Sequence, residues 1–139
     1  MKKVSSFASI KVFSLNWRWT DATYRLLTAD ELSRIKPLKK ADSIKIWKQI
    51  NQYVSERRNF KVDLNIFPKQ IKLSTSNNAD KVSDWLNGHL NQAEVYINWD
   101  KQLSVITETS LFVQYWADFC YPGEDVVIIP LDESWILQY

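Results

Sequence analysis

The strongest periodic signal in the chain lies in residues 39–57, "KKADSIKIWKQINQYVSER". Ile46, Trp47, Ile50, Tyr53 and Val54 fall on one helical stripe, with Lys45, Lys48, Gln49, Gln52 and Glu56 on the other face. Upstream, Thr28 and Glu31 stand in capping-box spacing, where each side chain satisfies a backbone donor of the other. A short helix carrying Leu32 and Ile35 therefore opens at Thr28, and Pro37 ends it. Residues 78–87 predict a further helix with Val82, Trp85 and Leu86 inward and Gly88 as a left-handed C-cap. Residues 109–119 predict a fourth, with Phe112, Trp116 and Phe119 on one side and Pro122-Gly123 as its stop.

Period-two stretches predict strands. "IKVFSLNWRW" (10–19) sets Phe13, Leu15, Trp17 and Trp19 against Ser14, Asn16 and Arg18. "FKVDLNIF" alternates Phe60, Val62, Leu64 and Ile66 up to Pro68, and "STSNN" after it is loop chemistry. "AEVYINW" (93–99) and "LSVIT" (103–107) flank "DKQ" as a hairpin. "DVVIIP" (125–130) and "WILQY" (135–139) supply two more strands around the turn "LDES". The resulting order is β-α-α-β-α-β-β-α-β-β, with strands collected late and linked by hairpins. This predicts a single α+β domain over residues 1–139, with a mainly antiparallel sheet and three to four helices packed on it.

Composition narrows the chemistry. The chain has 139 residues, enough for one domain with a sizeable core. It has seven Trp but two glycines, which argues against phosphate-cradling loops and dinucleotide fingerprints. One Cys and one His leave no disulfide scaffold and no Cys/His zinc site. No apolar run reaches the length of a membrane span, and Lys11 and several serines break the N-terminal segment, so a cytoplasmic protein with no membrane partner is expected. Charge is strongly segregated. Residues 1–72 hold 16 Lys/Arg against 6 Asp/Glu, a balance of +10. Residues 73–139 hold 2 against 10, a balance of −8. Either the molecule presents one basic and one acidic surface, or the halves pack together and partly neutralise each other.

Candidate reactive groups are few. Cys120 and His89 are the only thiol and imidazole. Cys120 follows a helix end, so no helix N-terminus favours its thiolate, and burial among Phe119, Tyr121 and Trp116 is the expected role. The carboxylates Asp118, Glu124, Asp125, Asp132 and Glu133 bracket strand 126–130. At ~3.3 Å per residue the two ends lie roughly 15–20 Å apart, so only Asp118, Glu124 and Asp125 can form one cluster. Such a trio could hold a divalent cation or serve as acid and base, but its spacing matches no known loop motif, and turn chemistry beside Pro-Gly accounts for it. No metal or other cofactor is assigned. The basic 36–58 face, with Lys36, Lys39, Lys40, Lys45, Lys48, Arg57 and Arg58, would suit phosphate. No RNA-binding or helix-turn-helix signature accompanies it, and the acidic half would repel nucleic acid.

Two segments carry a resemblance. "ADELSRIKPLKKADSIKIWKQI" and "VYINWDKQLSVITETSLFVQYWADFCYPGEDVVIIP" resemble a family of small uncharacterised bacterial proteins, a domain of unknown function. The likeness rests on Glu31, Leu32, Ile35, Lys36 and Pro37, then Ile46 and Trp47, then Glu108, Thr109, Tyr115, Trp116, Asp118 and Phe119. It covers about half of the chain, excludes residues 58–92, and implies a small bacterial cytoplasmic protein without assigned catalytic residues. In size and Trp-rich α+β pattern the chain is also similar to immunity proteins that neutralise bacterial toxins, a likeness of overall pattern rather than motif.

With so little catalytic equipment, the expectation is a non-enzymatic protein-binding module, an immunity-type protein occluding a toxin with a basic surface. Asp118, Glu124, Asp125, Asp132, Glu133 and Tyr121 are the candidate partner-binding residues. The alternatives are a small metal-dependent enzyme using the acidic cluster, or a nucleic-acid-binding protein using the basic 36–58 face.

Overall fold

Strands Glu94–Asp100 (β4) and Leu103–Glu108 (β5) have no water-facing side: four consecutive residues in each are buried. Alternation sends Val95, Ile97 and Val105 to one face and Tyr96 and Ile106 to the other, all without solvent exposure. Such a sheet needs apolar cover on both faces, and the computed structural model, which describes residues 3–56, 61–72, 74 and 78–139, provides it.

The sheet is five-stranded, in the order β1-β5-β4-β6-β7, with every neighbouring pair antiparallel. Its other members are Lys36–Pro37 (β1), Val127–Pro130 (β6) and Leu137–Gln138 (β7). A two-stranded ribbon, Val54–Glu56 (β2) with Lys61–Val62 (β3), stands apart. Six α-helical segments accompany them among the described residues. Helix α3 (Lys40–Asn51) covers one face, packing Ile46 and Ile50, with Leu38 and Val54, on Tyr96, Ile106, Val127 and Ile129. The other face takes α1 (Trp17–Thr20), α2 (Ala29–Ser33), α4 (Ala79–His89), α5 (Thr109–Gln114) and α6 (Trp116–Phe119). There Trp19, Leu86, Phe112 and Phe119 pack on Val95, Ile97, Val105 and Ile128. Each fully buried aliphatic side chain contributes about 1.5–3 kcal/mol. The architecture is α+β with an antiparallel sheet, as the pattern predicts, and helices lie on both faces.

Buried polar side chains tie helix to sheet inside this frame. Asn98 Nδ2 donates to Ser104 Oγ (2.7 Å) and to the Asp100 carbonyl (2.8 Å), while Ser43 Oγ of α3 lies 2.8 Å from Ser104 Oγ. This links α3 to the β4–β5 hairpin. Pro37, which has no N–H, sits on the outermost strand, where a missing donor is tolerated. Its carbonyl accepts from Ala8 N at 2.9 Å.

Several local expectations are revised. Residues 10–19 are not a strand: a 3₁₀ turn (Ile10–Val12) leads to α1, and Asn16 Nδ2 donates to the Ile10 and Lys11 carbonyls. Adjacent Arg18 and Trp19 are both buried, which a half-buried strand forbids. Helix α3 stops at Asn51 and Val54 enters a strand, so the stripe of 39–57 spans two elements. In 60–66 only Lys61–Val62 is strand. Asp63 accepts from Asn65 N through its carboxylate and from Ile66 N through its carbonyl, a turn that leaves Leu64 and Ile66 exposed. Phe60, Arg57, Arg58 and most of "STSNN" lie outside the described residues. The aromatic helix breaks at Tyr115 (φ −119°, ψ 28°), whose hydroxyl donates to Glu31 of α2.

The Thr28–Glu31 capping box is present in both directions at 3.1 Å. Gly88 is not a C-cap: α4 runs through it to His89, and the one glycine with positive φ is Gly123. A Cβ at Gly88 would meet nothing within 4 Å. Gly88→Ala should therefore stabilise the protein by about 0.5–1 kcal/mol, measured by urea denaturation, whereas a C-cap role would make it destabilising. Glu31 gives a second test. The Tyr115 hydroxyl and then the Thr28 amide hold its carboxyl below the usual glutamate range. A carboxyl depressed by folding adds stability above its unfolded pKa of about 4.3, and that stability is lost as pH falls through the folded value. Thermal melts of wild type and Glu31→Gln should differ at pH 6 and converge toward pH 3.

Candidate functional site

Helix α1 carries Arg18 into the molecule, leaving it 2 % exposed. The segment after α6 supplies its partner. Tyr121-Pro122-Gly123-Glu124 forms a tight turn, with Glu124 N donating to the Tyr121 carbonyl at 3.2 Å and Gly123 at φ 85°. Proline then glycine at positive φ is the chemistry of a type II turn. It returns the Glu124 carboxylate to Tyr121 N (3.0 Å) and to Arg18, which donates to both carboxylate oxygens: Nη1 to Oε1 at 2.9 Å and Nη2 to Oε2. Nη1 also reaches the Phe119 carbonyl at 3.2 Å, which accepts from Trp99 Nε1 at 2.9 Å.

Aromatic rings enclose this guanidinium. Its carbon lies 4.4 Å from the Tyr121 ring centre, 5.3 Å from Trp17 and 5.5 Å from Trp99. Toward solvent, Trp17 meets Tyr24 edge-on at 4.6 Å, and Tyr121 lies 5.7 Å from Trp17. Tyr24 is 54 % and Leu26 68 % exposed. Beside them Arg25 Nε bonds Asp118 at 3.1 Å and its guanidinium lies over Tyr115. Burial, then the Asp118 charge, raises the Tyr121 hydroxyl pKa, so Tyr121 stays neutral at physiological pH.

The expected partner-binding residues fall in two places. Asp118, Tyr121, Glu124 and Asp125 lie together, with Asp118 and Glu124 already held by arginines from the basic half. Asp132 and Glu133 lie at the other end of β6. Asp132 accepts from Ser134 N and Oγ, which lower its pKa. Glu133, at φ 57°, accepts from Gln49 Nε2 (2.6 Å) and the Tyr53 hydroxyl on the α3 side. Together with Arg34–Glu108 (2.6 Å) and Lys3–Glu94 (2.5 Å), the Arg18–Glu124 and Arg25–Asp118 pairs join the oppositely charged halves. The exposed lysines 39, 40, 45 and 48 of the α3 segment keep the basic face apart from this site.

Cys120 is buried in the core, and burial drives its thiol pKa far above the ordinary range. His89 is exposed, stacked on Trp85 at 4.3 Å, with Nδ1 2.7 Å from the Trp85 carbonyl. Among the described residues no three His, Cys, Asp or Glu side chains gather as a metal-holding group, and no helix is long and apolar enough to cross a membrane. Sequence reasoning missed Trp17, Arg18, Tyr24 and Leu26. The available signal was "WRWTDATYRLL", whose aromatic density exceeds what one strand face can bury.

No family model, curated protein or solved structure matches the chain. Function is therefore argued from the site alone. The same geometry makes a stability prediction. Glu124→Ala leaves a buried guanidinium without its carboxylate and should cost about 3–5 kcal/mol. Arg18→Met combined with Glu124→Ala should cost less than Glu124→Ala alone, read by denaturant titration as a double-mutant cycle with the Arg18→Met single.

Proposed function

We propose that the chain is a protein-binding module that occludes a partner, in the manner of a cytoplasmic bacterial immunity protein neutralising a toxin with a basic surface. The observation that carries this reading is the cluster of Trp17, Tyr24 and Tyr121 around the buried Arg18, whose two terminal nitrogens bond the Glu124 carboxylate, with Tyr24 and, two residues on, Leu26 exposed. Interface hot spots are enriched in Trp, Tyr and Arg, and rigid aromatic anchors lose little freedom on binding. Asp118, Glu124 and Asp125 edge the cluster and would favour encounter with a basic partner. Asp132 and Glu133 would contribute only through a partner broad enough to span β6.

The test is co-expression with the product of the neighbouring gene. The expected outcome is a co-purifying complex that protects cells and is weakened at least about tenfold by Tyr24→Ala with Leu26→Asp. Asp125→Lys should slow association and flatten its salt dependence. Retained affinity in all these variants would place the interface elsewhere, and the exposed lysines of the α3 segment would then direct attention to nucleic acid.

A further inference from the structure

An open cleft of about 510 Å³ lies on the side of the molecule formed by α4, α5, α6 and β7. Trp85, Phe112, Trp116, Phe67 and Ile71 line it, together with Cys120 and Leu137. Its volume falls within the roughly 300–1,000 Å³ typical of small-molecule sites. A second hollow of about 300 Å³ adjoins it, sharing Phe67, Lys69, Ile71 and Ile136 and adding Ile66, Pro68 and Trp135. The two together make an elongated, mostly apolar groove. Ile66 and Ile71 along it are 48 % and 49 % exposed.

The charged side chains in the groove have one sign. Lys69 lines both hollows and Lys72 the larger one, and among the described residues no Asp or Glu side chain lines either. A mostly apolar groove lined by two lysines matches an alkyl chain with an anionic head. We propose that this groove binds a medium- or long-chain alkyl carboxylate, the chain against the apolar lining that includes Trp85, Trp116, Phe67 and Ile71 and the head meeting Lys69 or Lys72. The site is separate from the Arg18 cluster and does not depend on the partner-binding reading.

The experiment is a titration of the full chain with hexanoate, octanoate and decanoate below their micelle concentrations, followed by tryptophan fluorescence. Trp85 and Trp116 line the groove and report occupancy. The expected result is saturable binding that tightens about fourfold per methylene. Decyltrimethylammonium should bind about fivefold more weakly than decanoate, the size of an exposed charge contact. Lys69→Glu with Lys72→Glu, two exposed positions that should leave folding intact, should abolish or invert that preference. Bound decanoate should slow reaction of Cys120 with a thiol reagent. Absence of saturation, equal affinity for the two head groups, a preference unchanged in the double variant, or faster thiol reaction on adding decanoate would each overturn the proposal.

Discussion

Arg18 is a cation placed where water is almost excluded, and an unpaired charge there would cost several kcal/mol. Its compensation comes from parts of the chain far apart in sequence: the Glu124 carboxylate, the Phe119 carbonyl, and the faces of Trp17, Trp99 and Tyr121. Meeting that requirement aligns α1 with the end of α6, orients the Pro122-Gly123 turn, and sets Trp99 of β4 against the same carbonyl. The outward aromatic cluster is a by-product of this arrangement. Trp17 and Tyr121 are held in place from beneath by the cation, and Tyr24 packs on both.

The sheet obeys the same logic with apolar groups. Strands buried on both faces cannot be half-polar, and β4, β5 and β6 carry near-continuous apolar runs although the sheet is antiparallel. The buried Asn98 and Ser104 are matched by Ser43, which ties α3 to one end of the hairpin. Charge segregation along the chain is largely spent in holding the two halves together. Arg18, Arg25, Arg34 and Lys3 each meet a carboxylate from the acidic half. Two of the three carboxylates near the Pro-Gly turn thus serve structure first and contribute to any partner surface only through their outer edges.

The aromatic cluster and the apolar groove are different kinds of surface. The cluster is aromatic, partly exposed and neighboured by acids, which suits a macromolecule. The groove is concave, apolar and flanked by lysines, which suits a chain-like small molecule. Cys120 illustrates the difference between reactivity and location. It lines the groove, yet its thiol is buried and held protonated, which disfavours a reactive role there.

The helix and strand identities of residues 29–33, 40–51, 79–89, 94–108 and 127–130 follow from local rules, and these were legible in the chain itself. The capping box needs only two side chains three residues apart, and the hairpin needs only two apolar runs around a polar turn. The misread segments are those whose conformation answers to distant partners. Phe13 to Trp19 alternates like a strand, but Arg18 had to be buried against Glu124, a residue over a hundred positions away. Tyr115 interrupts a good helix pattern because its hydroxyl bonds Glu31. Leu64 and Ile66 read as strand but flank a turn set by Asp63. Sequence alone therefore determined the α+β class, most elements and the presence of a single cysteine and a single histidine. Only the tertiary structure decided which carboxylates are neutralised, which aromatics face outward and where the groove opens, because each depends on contacts between residues that local propensity cannot relate.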